Sequence, residues 1–313
     1  MIFKPKRSGK HFPIHIIVFL APAVIVYTAF FTVPLLNTLR LSFYTTSGAG
    51  VELKFAGFQN FIALLSKEPW MAYFWRALSH NLKFFIVAMV VQTTIGLLLA
   101  VLLNARILRG RSVYRTILFT PAMLSVVIVG FVWKLMLSPV WGIAESIMKL
   151  VGLGDLFRPW LGLESTAFST ICLISCWQYF GVPMLLFLTA LISIPEEIIE
   201  SARVDGANNW NRFWRIQFPL ILPTVGITTI LTYTGTLNAF DIMYSLKGIF
   251  GDPNFSSDVL GLFYFRTYFG SYNVPANPTM GATVAMTTLL IILVGVIIYL
   301  FTWQRRLLKV EMN

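Results

Sequence analysis

Six stretches, near residues 14–39, 81–104, 116–137, 168–191, 218–240 and 280–302, run for 22 to 26 residues without an interior aspartate or glutamate. A helix rises about 1.5 Å per residue, so roughly 20 apolar residues cross about 30 Å of hydrocarbon. Each stretch is therefore predicted to be a membrane-spanning helix. Barrel strands would alternate apolar and polar side chains over about ten residues, and no such rhythm occurs. Charged residues make up only 12% of the chain, against about 25% in soluble proteins. That supply is too small to cover a water-facing globule, whereas a bundle in lipid needs no such cover. The first stretch is longer than the roughly 7–15-residue core of a signal peptide and is read as a retained first span.

Charge predicts the direction of insertion. With both termini cytoplasmic, Lys4, Lys6, Arg7, Lys10, Arg106, Arg109, Arg111, Arg115, Arg203, Arg212, Arg215, Arg305, Arg306 and Lys309 all lie inside. Fourteen basic residues then face five acidic ones on the inner side, and ten face eight on the outer side. Lysine and arginine near span ends favour the cytoplasm. The net charge of +11 thus orients the chain; it does not form the basic stripe expected of a nucleic-acid binder. Cys172 and Cys176, the only cysteines, share one helical face inside an apolar run and have no histidine or carboxylate beside them. They read as small packing residues.

The outer connections, near 40–80, 138–167 and 241–279, are rich in glycine and proline, which predicts turns and short helices. Trp133, Trp141, Trp160 and Trp177 fall near the outer boundaries, where an indole buries its ring and keeps its N–H wet. Lys134, three residues from the end of its stretch, is placed to snorkel outward.

The connection from Pro195 to Pro223 differs from the others. Pro195 suits the first turn of a helix, with Glu196, Glu197 and Glu200 near its positive end. Asp205-Gly206 offers a break where φ > 0 is cheap. A second short helix is predicted over 207–216, with Pro219 and Pro223 marking where the fifth span begins. Taken together, this reads as a helix–turn–helix knob tied to a span, able to pass a push into the bundle. An amphipathic segment lying in the lipid interface fits the aromatics equally well.

Glu200-Ser201-Ala202, Asp205-Gly206-Ala207, Phe213, Pro219 and Pro223 resemble the EAA loop of binding-protein-dependent ABC importer permeases, with Ser201 where alanine is usual. Leu41-Ser42-Phe43, Gly57-Phe58-Gln59-Asn60-Phe61, Pro121, Trp177, Phe240-Asp241 and Gln304-Arg305-Arg306-Leu307 extend the resemblance over nearly the whole chain. They point to the sugar-type branch, which includes the larger membrane subunits of maltose and glycerol-phosphate transporters. After Tyr244, Lys247-Gly248-Ile249-Phe250-Gly251-Asp252-Pro253 stands where many relatives carry Gly-Gly-Pro.

The resemblance implies an all-α, six-helix type I importer transmembrane domain over 14–303, flanked by cytoplasmic segments 1–13 and 304–313. It also implies a coupling loop over 195–217 docking on a cytoplasmic ATPase through Glu200, Ser201, Ala202, Arg203, Asp205, Gly206, Ala207 and Phe213. Implied partners are a second homologous permease, two copies of an ATP-binding subunit that hold ATP and Mg, and an extracytoplasmic solute-binding protein. No cofactor, metal or nucleic acid is expected on this chain.

Polar groups within the spans mark a candidate solute path: Gln178, Tyr179, Tyr233 and Asn238 first, with Gln92, Thr234, Thr236 and Asp241 nearby. Burying an amide or hydroxyl against lipid is costly, so these groups turn inward. Amides and hydroxyls beside aromatic rings suit sugars, although helix–helix hydrogen bonding uses the same residues. Neither a GxxxxGK[ST] loop nor HExxH nor GxSxG occurs, so ATP binding belongs to another subunit and no covalent reaction is assigned. The rival readings are a self-sufficient secondary transporter, which would want an embedded charge pair, and a membrane enzyme acting on lipid head groups.

Overall fold

The computed structural model describes residues 14–47, 52–105, 110–272 and 275–304. Lys4, Lys6, Arg7, Lys10, Arg106, Arg109, Arg305, Arg306 and Lys309 of the charge reading lie outside those residues. Four described helices are long and apolar enough to cross a membrane: α1 (Val18–Ser42), α3 (Trp70–Asn104), α10 (Asn209–Leu237) and α13 (Pro278–Trp303). Two bent pairs, α4–α5 (Arg111–Met123 and Val126–Met136) and α7–α8 (Glu164–Tyr179 and Gly181–Ile192), raise the number to as many as six.

Shorter elements fill the connections: α2 (Gln59–Ser66), α6 (Ala144–Leu150), α9 (Glu196–Val204), α11 (Asp241–Lys247) and α12 (Leu260–Phe269). An otherwise helical chain also carries one antiparallel hairpin among the described residues, β1 (Tyr44–Ser47) paired with β2 (Glu52–Phe55). Tyr44 faces Phe55 across it, and Gly57, at φ 56, turns the chain back toward α1. The Asn60 amide then donates to the Ser42 and Tyr44 carbonyls at 3.0 and 2.7 Å, tying the hairpin to the end of α1.

The bends have local causes. Leu124 and Ser125 adopt extended angles between α4 and α5, and the halves diverge by 93°. The Gln178 amide donates to the freed Leu124 carbonyl at 3.1 Å. Between α7 and α8 the angle is 42°, next to Pro183, which has no N–H to continue the ladder.

Elsewhere a proline does not break the helix. Pro34 and Pro219 each follow a π turn, over Thr28–Thr32 and Phe213–Gln217. The carbonyl four residues before each proline, which its ring would strike, falls inside the widened turn. The separate short helix expected before Pro219 is therefore absent. The knob's second arm is the first part of α10 itself.

α3 is the spine of the bundle. Phe84 belongs to a buried cluster with Val129, Ile171, Cys172 and Met243. Phe74, Ala77 and Leu78 join Leu237, Leu260, Phe263 and Met280. Ala100 and Leu103 join Met184, Phe187, Leu188 and Ile221. In lipid, helices associate through close packing and not by escaping water. Gly96 of α3 shows how close: a Cβ there would lie 2.9 Å from Pro183 Cγ and 3.0 Å from the Met184 nitrogen.

Candidate functional site: a cleft beside a capped knob

The knob is built from two capping motifs. Glu196 and Glu197 occupy the first turn of α9 and Arg203 the last, matching the helix dipole. Gly206, at φ 79, closes the helix. Its N–H donates to the Arg203 carbonyl at 3.0 Å, and the Ala207 N–H donates to Ala202 at 2.9 Å. This is the paired hydrogen-bond pattern of a left-handed helix stop. Asn208 starts α10 by accepting the Asn211 N–H on Oδ1 at 2.8 Å.

Among the predicted knob residues, Ala202 is buried, while Glu200, Ser201, Arg203, Asp205 and Gly206 are exposed. Ala207 and Phe213 are half-buried. The Phe213 ring packs against Trp214 and Phe218, at 5.0 and 6.0 Å between centroids. The most exposed apolar side chains of the knob are Val204, 88% exposed, and Trp210, 69% exposed. Periodicity alone does not say which face of the knob is left uncovered.

α9 leads back to a cleft between α8 and α10. Its outer part, meaning the part away from the knob, is a cavity of about 300 Å³ lined by Gln92 of α3, Tyr179 of α7, Pro183 and Leu186 of α8, Thr232 and Gly235 of α10, and Asn238, Phe240 and Asp241 just beyond. A second cavity of about 520 Å³ lies at the knob end, lined by Leu186, Thr189, Ser193, Pro195, Ile198, Leu220, Thr224 and Ile227. On α10 the lining residues Leu220, Thr224, Ile227, Leu231, Gly235 and Asn238 step by three or four, so they form one continuous face.

The four predicted path residues divide. Tyr179 and Asn238 line the outer cavity. Gln178 does not: it is 1% exposed and holds the α4–α5 bend. Tyr233 faces the other way, donating its hydroxyl to the Ile291 carbonyl of α13 at 2.8 Å over Gly295. Gln178 and Tyr179 are adjacent in sequence but about 100° apart around the helix, and here Tyr179 faces the cleft while Gln178 turns to Leu124. The α10 stripe itself was missed, although the three-and-four spacing of Thr224, Ile227, Leu231, Gly235 and Asn238 was a usable signal.

Asp241 is the charged residue of the cavity lining, and Lys247 and Asp258 lie outside that lining. Lys247 of α11 donates to the Leu161 carbonyl. Burial and the nearby Lys134 ammonium hold it below the usual lysine range, with Asp252 partly opposing. Asp258 is fully buried and accepts both guanidinium nitrogens of Arg266 at 2.6 Å.

Several apolar helices, a cleft with polar groups inside it, and a capped knob at one end define a multi-pass membrane protein of the transport class. The family described as "Binding-protein-dependent transport system inner membrane component" matches residues 92–308, and the chain belongs to it. It is the permease component of an ABC importer.

Among its relatives is a probable ABC transporter permease, YurN, of Bacillus subtilis, 30% identical over 276 residues, covering 88% of this chain and 90% of that one. The lactose transport system permease LacF of Rhizobium radiobacter is 30% identical, with 92% and 93% covered. The trehalose/maltose permease MalF of Thermococcus litoralis is 30% identical, with 89% and 90% covered. The fold is similar to that of a bacterial ABC transporter importing the acidic polysaccharide alginate, at TM-score 0.74 and 21% identity over 93% of this chain and 95% of that one.

Proposed function

We propose that this permease passes a neutral sugar, oligosaccharide or related polyol from an extracytoplasmic binding protein to the cytoplasm by alternating access. The cleft supports this reading: two amides, hydroxyls and aromatic rings (Gln92, Asn238, Thr232, Tyr179, Phe240) share one cavity with the single carboxylate of Asp241. Hydroxyl-bearing solutes need donors and acceptors, and rings cover their weakly apolar faces. Relatives named for lactose and for trehalose and maltose point to the same class of solute.

In this reading the chain crosses the membrane six times with both termini cytoplasmic, each bent pair serving as one crossing. The permease domain covers 14–303, and the knob over 195–217 projects into the cytoplasm. A second homologous permease closes the exposed side of the α8–α10 cleft. Two ATP-binding subunits supply ATP and Mg chemistry. Val204 and Trp210 of the knob seat in one of them, with Arg203 and Asp205 beside. Because α10 begins inside the knob and ends at Asn238, a push on the knob turns the helix that lines the path.

The single observation that carries this reading is that continuity from knob to cleft. Its test is Gly206→Pro. Proline cannot adopt φ 79 and removes the N–H bonded to Arg203. The variant should insert normally yet lose at least about tenfold in solute-stimulated ATPase activity, since the capping geometry is gone. Unimpaired uptake of lactose, trehalose and maltose by the assembled variant would refute the coupling role.

A further inference from the structure

Charge is nearly absent from the walls of the two cavities. Asp241 alone carries it: no lysine, arginine or histidine stands among the lining residues of either cavity. Asp241 makes no ion pair among the described residues. Its place is fixed by the short helix it begins. Ile242, Met243 and Leu246 of α11 are buried, and the Ser245 hydroxyl donates to the Val127 carbonyl of α5 at 3.2 Å. With α11 pinned in this way, Asp241 stays exposed at the cavity that Tyr179 and Asn238 also line.

We propose that Asp241 is a charge filter on the solute route, admitting neutral and amino-bearing sugars and turning back those that carry a carboxylate or a phosphate. The inference rests on the reading of the cleft as the solute route. An ionised carboxylate accepts hydrogen bonds and donates none, so it can hold two neighbouring sugar hydroxyls or one ammonium. A uronate or a sugar phosphate instead brings a like charge into a space whose walls hold no cation to offset it. Within a cleft that repulsion is screened less than at an open surface. Discrimination then comes from what the wall repels as much as from what it binds. Gln92 and Asn238 cannot supply it, because an amide carries no charge.

Small thiol reagents of opposite charge test the filter in the assembled transporter. Gly235 lines the same cavity and a Cβ there meets nothing within 4 Å, so Gly235→Cys places a thiol in open space. Thr224→Cys reports on the knob-end cavity, which Asp241 does not line. The native Cys172 and Cys176 are buried and give little background. Labelling rates with a trimethylammonium-ethyl and a sulfonato-ethyl thiosulfonate are each divided by the rate with a free thiol in solution. Their ratio cancels any effect of Asp241 on the introduced thiol itself. At Gly235→Cys the cationic reagent should be favoured roughly tenfold. Asp241→Asn, which keeps the shape and removes the charge, should bring the ratio close to one, while Asp241→Glu should preserve it. The ratio at Thr224→Cys should not move with either change. Equal rates with Asp241 in place, a ratio that Asp241→Asn leaves unchanged, or one that falls as far at Thr224→Cys would overturn the filter alone. Failure of Gly235→Cys to react with either reagent would overturn the route and the filter together.

Discussion

Asp258 shows how one residue ties α12 to α3. Its carboxylate meets Arg266 in a two-pronged contact and Arg76 at 3.6 Å. The Phe255 ring lies 4.4 Å from the Arg76 guanidinium carbon and 5.3 Å from that of Arg266. The Asp258 carbonyl accepts from His80 of α3 at 2.7 Å, which requires the proton on Nδ1 because a carbonyl cannot donate. Gly251, at φ 64, makes room, since a Cβ there would stand 2.7 Å from the Asp258 nitrogen. Removing one partner of a buried pair strands the other's charge, at about 3–5 kcal/mol. Asp258→Asn should therefore lower the unfolding midpoint in detergent sharply. Arg76→Ala, losing a longer and partly exposed contact, should cost under about 1 kcal/mol of stability and shift the midpoint much less. Equal effects would refute the ranking.

At the scale of elements, the closest approach decides what tolerates change. α3 meets α8 where Gly96 faces Pro183, with no room for a further carbon. Gly96→Leu should destabilise this contact by about 1–3 kcal/mol through overpacking. Limited proteolysis of the purified variant should then show faster cleavage near 181–192; an unchanged digestion pattern would show that the helices part without penalty. The π turns work in the opposite sense. By widening α10 over Phe213–Gln217 they let Pro219 sit in a continuous helix, which makes the knob and the path one mechanical piece.

For the whole molecule, α3 draws its clusters from α2, α5, α7, α8 and α10 to α13. By contrast, the membrane window of α1 has no buried residue. Its second half, Val33–Ser42, packs on α13, so most of α1 faces outward with apolar side chains such as Phe19 and Phe30. A chain of this kind should show the same sidedness for both ends and the knob. Reporter fusions at residues 1 and 313, and a tag inserted in 205–208, should all be detected on the cytoplasmic face. Detection of the inserted tag on the outer face would exclude contact with a cytoplasmic ATPase.

Much of this was legible in the residue order. Apolar length predicted the long helices, because lipid leaves a chain no other way to satisfy its backbone. Gly206 marked the stop of α9, since a helix stop at a residue with φ > 0 acts within one turn of the chain. Facing was not legible. Gln178 and Tyr233 are as polar as Tyr179 and Asn238, yet they bond to Leu124 and Ile291 and not toward the cleft. Which polar group lines a path and which braces a helix depends on neighbours 50 or more residues away. Composition and local periodicity determined that this chain is a bundle in lipid with a capped knob. Only tertiary packing decided that α8 and α10 face each other across two cavities, because a helix's rotation about its axis is set by what it packs against.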